Sequence, residues 1–197
     1  ASVISVLRVI LGTVLPLFVT FSAAYALTRS GLKWRKALTW YLCIPMYVTA
    51  GIIPTYILYR YLGLINNFLV YILPFAFSFY NMVILRSFLQ EVPKSLEESA
   101  LIDGANEMQV MFKIMVPMAM PALATVTLWL AVGQWNDWSS TLMYITKPNL
   151  YPLQYIMMQI IKESEVAQQL ALNASMTGQM KTPTSTPESV QSAVLIV

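Results

Sequence analysis

Four long stretches of the sequence contain no charged residue, and each is predicted to form a helix that crosses a membrane. They cover residues 9–28, 37–59, 61–85 and 114–136. A helix needs about 20 predominantly apolar residues to cross the hydrocarbon core of a bilayer. A buried helix of a soluble protein rarely has so long an uncharged run. The pattern therefore predicts four spans.

Both ends of the sequence suggest a longer protein. A fifth apolar run starts near Ser189 and reaches the last residue, Val197, before it is long enough to span, and the first residue is Ala rather than Met. We therefore expect a fragment of a longer membrane protein, truncated at both ends. Residues 1–197 would form one transmembrane domain.

Prolines inside the apolar stretches predict kinked helices. An interior proline removes a backbone hydrogen bond, and neighbouring groups can satisfy the freed carbonyl in a membrane helix. The composition, 57% hydrophobic and 11% charged, excludes an ordinary soluble domain, in which about 25% of residues are charged. The predicted fold is an all-α integral membrane protein, a kinked transmembrane helix bundle. The prolines in question are Pro16, Pro45, Pro54, Pro74, Pro117 and Pro121.

The distribution of lysine and arginine predicts the orientation. Short cytoplasmic loops of membrane proteins are enriched in these residues. Residues 29–36 hold four of them and residues 86–113 hold three. The two segments are separated by two predicted spans and should lie on the same side, so residues 89–113 are expected to form a cytoplasmic loop.

The segment 139–188 is expected outside the cytoplasm, with an amphipathic helix. Its residues LYPLQYIMMQIIK place apolar side chains at helical spacing in a stripe too short to span a bilayer. The polar stretch QMKTPTSTPE that follows predicts a loop. The apolar stripe consists of Leu153, Ile156, Met157, Ile160 and Ile161.

The acidic stretch EESALIDGANEMQV predicts two helix starts separated by a glycine turn. Pro93 precedes Ser95-Leu-Glu-Glu98, a capping-box pattern that predicts a helix from about Leu96. Gly104 is the residue best able to adopt the left-handed conformation that ends a helix. The segment Asn106-Glu-Met-Gln109 repeats the capping pattern and should start a second helix that enters the membrane. Together these features predict a short helix lying across the cytoplasmic face.

This segment resembles the signature loop of the membrane subunits of binding-protein-dependent ATP-binding-cassette (ABC) importers. The family pattern is Glu-Ala-Ala, three residues, Gly, nine residues, Ile, one residue, Leu-Pro. Here it reads Glu98-Ser99-Ala100, Gly104, Ile114 and Val116-Pro117 with both spacings intact. The departures are Ser99 for Ala and Val116 for Leu. The flanking segments IPTYILYRYLGLINN and GQWNDW resemble the carbohydrate branch of the family, oligosaccharide or maltose-type permeases.

The resemblance implies the fold and the partners. The chain would hold about five of six spans of an importer permease in a bacterial inner membrane. Its partners would be a cytoplasmic ABC ATPase dimer, a second permease, an extracytoplasmic solute-binding protein, a sugar and the lipid bilayer, with no nucleic acid. The short helix would be the coupling helix that docks on the ATPase. The implied coupling residues are Leu96, Glu98, Ala100, Ile102, Asp103 and Gly104.

The residues that are present argue against an ATPase, an enzyme or metal protein, and an ion-coupled transporter. None of the seven glycines is followed by Lys, so there is no GxxxxGK phosphate loop, and ATP hydrolysis would belong to a separate subunit. No His and one Cys leave little material for a catalytic or metal site. We therefore expect a non-catalytic subunit with no cofactor and no metal. The alternative is an ion-coupled secondary transporter, which commonly places ionisable groups inside its spans, whereas these four stretches contain none.

Candidate substrate contacts lie in two places. Sugars are recognised by aromatic faces and by hydrogen bonds from amides and carboxylates. GQWNDW offers such groups at the outer end of the fourth stretch, although an interfacial belt of aromatic residues would also explain its tryptophans. Tyr80 and Asn81 lie deeper in the third stretch and could instead form hydrogen bonds with a neighbouring helix. The candidates are Tyr80, Asn81, Gln134, Trp135, Asn136 and Asp137.

Overall fold

The computed structural model describes residues 1–29, 31–48 and 50–176, with side chains up to residue 169. All regular secondary structure in these residues is helical. The longer helices are α1 Ser2–Thr28, α2 Arg35–Tyr47, α3 Ile52–Tyr61, α4 Phe79–Glu91, α5 Lys94–Ile102, α8 Met120–Asn136 and α10 Leu153–Met176, and the shorter ones are α6 Glu107–Val110, α7 Val116–Met118 and α9 Ser139–Tyr144. Three 3-10 turns and one π-helical turn, Met111–Met115, complete the described chain.

The first predicted span is confirmed as helix α1. Its 27 residues correspond to a length of about 40 Å. Among the described helices it alone is long and apolar enough to cross a membrane by itself. Large side chains such as Val14 and Phe18 are exposed, as expected for a helix that faces lipid.

The other three apolar stretches are broken more sharply than kinked single helices would be. Each forms two helical segments, and if each pair counts as one span, the described residues hold up to four spans. The segments Glu107–Met118 and Met120–Asn136 meet at an angle of 81°. Pro121 provides a local reason for this break, because proline cannot donate to the carbonyl four residues earlier and its ring clashes with it.

The second and third stretches are interrupted in different ways. Helices α2 and α3 share the second stretch. The third stretch begins with a turn and two 3-10 turns, Phe68–Tyr71 and Leu73–Phe75. It becomes α-helical only at Phe79, and α4 then continues beyond the end of the apolar run to Glu91. The angle between the 3-10 segment and α4 is 49°.

The main hydrophobic core lies between α1, α4 and α8. Its buried side chains include Ala24, Leu85 and Val126. Small residues let helices approach closely in a membrane protein. Gly12 of α1 lies so close to α8 that a Cβ atom there would be 2.8 Å from Cδ of Gln134. The contact of α1 with α8 therefore depends on a residue without a side chain.

The two ends of this bundle are chemically different. The chain after α1 meets α5 and α6 at one end, through Arg29, which pairs with Glu97 and Glu107. We call this the basic end. Residues 29–36 and 86–113 therefore meet at one end of the bundle, as their separation by two spans predicts. The start of α1 and the end of α8 meet at the opposite end, through Arg8 and Asp137.

A second, smaller core lies at the opposite end. It contains Tyr71 and Ile145. The turn before the first 3-10 segment is attached to it by Asn66, whose side-chain oxygen accepts hydrogen bonds from the Thr146 amide at 2.6 Å and from the Lys147 amide at 3.2 Å. Asn66 has a φ of +58°, a conformation that asparagine tolerates better than most residues.

The predicted amphipathic helix in the segment 139–188 is present as α10, which at 24 residues is longer than the predicted stripe. Most side chains of the stripe are half-buried, whereas Ile160 is exposed. The Leu153 amide donates to Oγ of Ser5 in α1 at 2.7 Å, so α10 begins against the first span. The loop 179–188 and the apolar run from Ser189 lie outside the described residues.

Candidate functional site

The acidic loop begins with α5, which starts earlier than predicted. Pro93 is the N-cap, Lys94 is the first helical residue, and no side chain caps the helix. The capping box predicted for Ser95 was therefore wrong. Proline has a fixed φ that suits the entrance to a helix, and the Leu96 amide donates to the Pro93 carbonyl at 3.1 Å. As a result Ser95 already lies within the first turn.

The glycine turn after α5 is confirmed. Gly104 has a φ of +84°. Its amide donates to the carbonyl of Leu101 at 3.1 Å, and the Ala105 amide donates to the carbonyl of Ala100 at 2.9 Å. These two bonds form a Schellman motif, in which a residue in the left-handed conformation ends a helix. The chain therefore reverses sharply after Asp103.

The second helix start is also confirmed. The Asn106 side chain accepts from the Gln109 amide at 2.8 Å, and the Gln109 side chain accepts from the Asn106 amide at 2.9 Å. This reciprocal capping box starts α6, which continues through the π-helical turn to Met118. The loop thus consists of two helical arms, with the turn at Gly104 between them.

The predicted coupling residues occupy different faces of the loop. Ile102 is 86% exposed, and Leu96 and the unpredicted Leu101 are also exposed. Ala100, by contrast, is half-buried and packs against the chain's own core. Exposed apolar side chains thus lie among exposed polar and charged ones in this loop. Of the predicted coupling residues, those exposed to solvent are Leu96, Glu98, Ile102, Asp103 and Gly104.

At the opposite end, Arg8 lies at the centre of a buried polar cluster. Its side chain is only 1% exposed. The guanidinium forms an ion pair with the Asp137 carboxylate, and Nη1 donates to the Asp137 backbone oxygen at 2.6 Å. Its Nε donates to Oε1 of Gln134 at 3.0 Å, and Cζ lies 4.3 Å from the centroid of the Tyr71 ring. The arginine thereby joins α1, the end of α8 and the 3-10 segment.

The partners of Arg8 are themselves held in place. Nε2 of Gln134 donates to the Tyr71 carbonyl at 3.3 Å, and the Tyr71 hydroxyl bonds the Thr141 hydroxyl at 3.0 Å and donates to the Leu150 carbonyl at 3.1 Å. A buried charge is tolerated only when it is paired and hydrogen-bonded. This cluster meets that condition for Arg8.

The carboxylate of Asp137 stays ionised in this cluster. Burial alone would raise its pKa, but hydrogen bonds from Ser140 and Ser139, together with the charge of Arg8, lower the pKa below the ordinary value of 3.8. The Ser139 hydroxyl donates at 2.7 Å and the Ser140 amide at 3.2 Å. The ion pair therefore persists at neutral and mildly acidic pH.

The remaining substrate candidates are divided between two locations. Trp135 and Asn136 are exposed next to the polar cluster, and the Asn136 amide group donates to the carbonyl of Val132 at 3.0 Å. Tyr80 is exposed and its ring is stacked on that of Trp129, with centroids 6.5 Å apart. Asn81, its neighbour, is buried. The cluster thus unites Gln134 and Asp137, whereas Tyr80 and Asn81 lie on a different helix.

The roles of Arg8 and Arg29 in these two places were not predicted from the sequence. Arg8 stands immediately before the first uncharged stretch, where a charge is costly unless it has a partner. Asp137, directly after the fourth stretch, is the complementary signal. No group of three or more possible metal ligands occurs in the described part of the chain.

Comparison with protein families identifies the chain. Residues 9–196 match the family described as "Binding-protein-dependent transport system inner membrane component". The chain belongs to this family. Its members are non-catalytic permease subunits of the inner membrane, and the family gives no support to the alternative of an ion-coupled transporter.

Individual relatives transport carbohydrates according to their names. The chain is 37% identical over 158 residues to the polygalacturonan/rhamnogalacturonan transport system permease protein YtcP of Bacillus subtilis. The match covers 80% of this chain and 55% of YtcP. It is 30% identical over 151 residues to the galactooligosaccharides transport system permease protein GanQ of the same species, covering 75% and 53%. The chain spans about half the length of these relatives.

A solved structure shares the fold. The match is a crystal structure of a bacterial ABC transporter involved in the import of the acidic polysaccharide alginate, with a TM-score of 0.83 and 28% identity over 98% of this chain and 67% of that chain. The predicted permease fold and the resemblance to the importer family are confirmed.

Proposed function

We propose that this chain is part of the membrane-spanning permease subunit of an ATP-driven importer. With a partner permease it would form the pathway for a sugar or oligosaccharide that a solute-binding protein delivers. Membership of the binding-protein-dependent family and the names of YtcP and GanQ support this function. ATP would be hydrolysed by a separate ABC ATPase dimer.

The observation that carries the proposal is the apolar surface of the acidic loop. Leu96, Leu101 and Ile102 are exposed on α5 and its end, in a loop rich in charged residues. The hydrophobic effect favours the burial of these three side chains against a protein partner. A groove on the ATPase subunit would bury these side chains, so α5 would act as the coupling helix.

Coupling would then be mechanical. When two ATPase subunits close on ATP, each docked helix is displaced with the subunit that holds it. Because α5 is joined to the next span by a stiff, hydrogen-bonded turn at Gly104, the displacement would reach the bundle. The permease would change its access from one side to the other without covalent chemistry of its own.

Substrate would pass near the exposed aromatic side chains. We assign contact with sugar to Trp135, Asn136 and Tyr80, whose side chains are accessible. Gln134 and Asp137 would support this surface through the Arg8 cluster, and Asn81, which is buried beside Tyr80 in α4, stays a candidate for the pathway. The relatives' names support a carbohydrate as the transported solute.

A crosslinking experiment tests the proposal. In a full-length variant whose natural Cys43 is replaced by Ser, Ile102→Cys should crosslink to an ATP-hydrolysing subunit in the assembled complex. Ile53→Cys is the matched control, because Ile53 is also strongly exposed but lies on α3. The coupling function would be refuted if a membrane-impermeant thiol reagent labelled the Ile102→Cys variant from outside intact cells, or if no ATPase crosslink formed.

A further inference from the structure

A cluster of charged side chains at the basic end has no role in the coupling surface described above. Arg29 follows directly on α1 and is its C-cap residue. Nη1 pairs with the carboxylate of Glu97 on α5, and Nη2 pairs with the carboxylate of Glu107 in the first turn of α6. A single guanidinium therefore contacts both arms of the acidic loop.

Tyr25, one turn earlier in α1, fixes the position of this guanidinium. Cζ of Arg29 lies 4.5 Å from the centroid of the Tyr25 ring, an attractive arrangement of a cation over an aromatic face. The Tyr25 hydroxyl accepts a hydrogen bond from Arg29 and donates to the Glu107 carboxylate at 3.0 Å. The Arg29 guanidinium is thus positioned by Tyr25, a residue of the helix that it caps.

The ion pairs of Arg29 with Glu97 and with Glu107 differ in their exposure to solvent. The side chains of the Arg29–Glu97 pair are 22% and 18% exposed, whereas Glu107 is 60% exposed. Exposed pairs contribute little because water and salt screen them. The contact with Glu97, on the arm that carries the exposed apolar side chains, is the better protected of the two.

We propose that Arg29 is a positioning residue for energy coupling, which holds both arms of the acidic loop against the end of α1. The inference rests on the proposed function. The loop also contacts the bundle through Ala100 and Val110, which pack in the main core, and through the Tyr25 hydroxyl, which donates to Glu107. Arg29 adds ion pairs from the end of α1 to both arms, on either side of Gly104. With Arg29, displacement of α5 also displaces α1.

Helix α1 is suited to receive this displacement. It packs along α4 and α8 and runs without interruption from the Arg29 cluster to the Arg8 cluster. The two arginines are separated by about 30 Å of helix. Movement of the acidic loop would therefore reach the polar cluster at the opposite end through one continuous element.

The test compares the number of ATP molecules hydrolysed per solute imported by the full complex in proteoliposomes. We expect Arg29→Met to raise this ratio about fivefold, at the low end of usual coupling factors, and Glu97→Gln to raise it less. Arg29→Lys should restore part of the coupling, because lysine keeps the charge but can approach fewer oxygen atoms at once. Lys36→Met is the matched control, since Lys36 is an exposed cation of the same segment.

The outcomes separate this inference from the proposed function. An unchanged ratio in Arg29→Met, in a complex whose parent couples transport to ATP hydrolysis, overturns the role of Arg29 alone. If Arg29→Met does not assemble, the double variant Glu97→Gln and Glu107→Gln replaces it, and an unchanged ratio in that variant overturns the inference equally. A parent that binds no ATPase refutes the proposed function instead.

Discussion

Nη1 of Arg8 donates a hydrogen bond to the backbone oxygen of Asp137 at 2.6 Å, although 129 positions separate the two residues. This contact, with the ion pair between their side chains, joins the start of the first span to the end of the last span described here. It lies next to Trp135, a candidate for contact with the transported solute. Substitutions in the Arg8 cluster test its contribution to stability, and substitution of Trp135 tests contact with the solute.

Removing the charge of Asp137 should destabilise the complex. Asp137→Asn leaves the guanidinium of Arg8, which is almost fully buried, without its counter-charge, and we expect a loss of about 3 kcal/mol. Arg8→Met combined with Asp137→Asn should cost less than the sum of the single changes, because the double variant leaves no unpaired charge. Thermal unfolding of the purified complex measures both, and additive effects would contradict the pairing.

The pH dependence of the same pair follows from the lowered pKa of Asp137. A carboxylate with a depressed folded-state pKa contributes stability above its unfolded value, and this stability is lost as the pH falls through the folded value. Since that value is below 3.8, the difference in melting temperature between the parent and Asp137→Asn should be the same at about pH 5 and pH 8. A difference that disappears at the lower of these pH values would be inconsistent with the cluster.

The close approach of α1 and α8 predicts a steric effect. Gly12→Leu should force Gln134 away from Arg8 and Tyr71, with a cost of about 1–3 kcal/mol for overpacking. Gly133→Leu is the matched control, because Gly133 is a glycine of α8 where an added Cβ atom would have no neighbour within 4 Å among the residues that the structure describes. Equal melting temperatures of the two variant complexes would show that the contact at Gly12 is unimportant.

The turn at Gly104 should be required for coupling. Gly104→Val places a β-branched residue in the left-handed region, at a cost of about 1–2 kcal/mol, and we expect weaker stimulation of ATP hydrolysis by the binding protein and slower uptake. Because no atom of the described residues lies within 4 Å of the added Cβ, the effect inside this subunit should come from the backbone. Gly104→Asn should therefore remain close to the parent, and normal coupling in Gly104→Val would refute the requirement.

Contact with the solute can be tested at Trp135. Trp135→Ala should slow uptake, whereas ATP hydrolysis without solute should persist because the acidic loop is unchanged. Trp40→Ala is the control, since Trp40 is also exposed but lies on α2. If both variants transport as the parent does, Trp135 belongs to an interfacial belt of aromatic residues.

The acidic loop shows which features could be predicted from neighbouring residues. The turn at Gly104 and the capping box of Asn106 follow from short-range rules, because each depends on residues within a few positions. The start of α5 does not, since Pro93 and Ser95 offer competing signals within one turn. The division of three apolar stretches into pairs was also missed, because hydropathy measures the length of an apolar run and not the direction of its helix.

Uncharged length, the spacing from Glu98 to Pro117 and the turn residues are properties of nearby positions. The order of the amino acids was therefore enough to predict an α-helical membrane protein with a signature loop of the importer family. The pairing of the charged side chains could not be predicted in this way. Arg8 and Asp137, and Arg29 with Glu97 and Glu107, are distant in sequence, and their pairing depends on how α1 packs against the rest of the bundle. The same packing buries Gln134 and leaves Trp135 exposed. This difference between two adjacent residues cannot be predicted until it is known which face of α8 contacts the bundle.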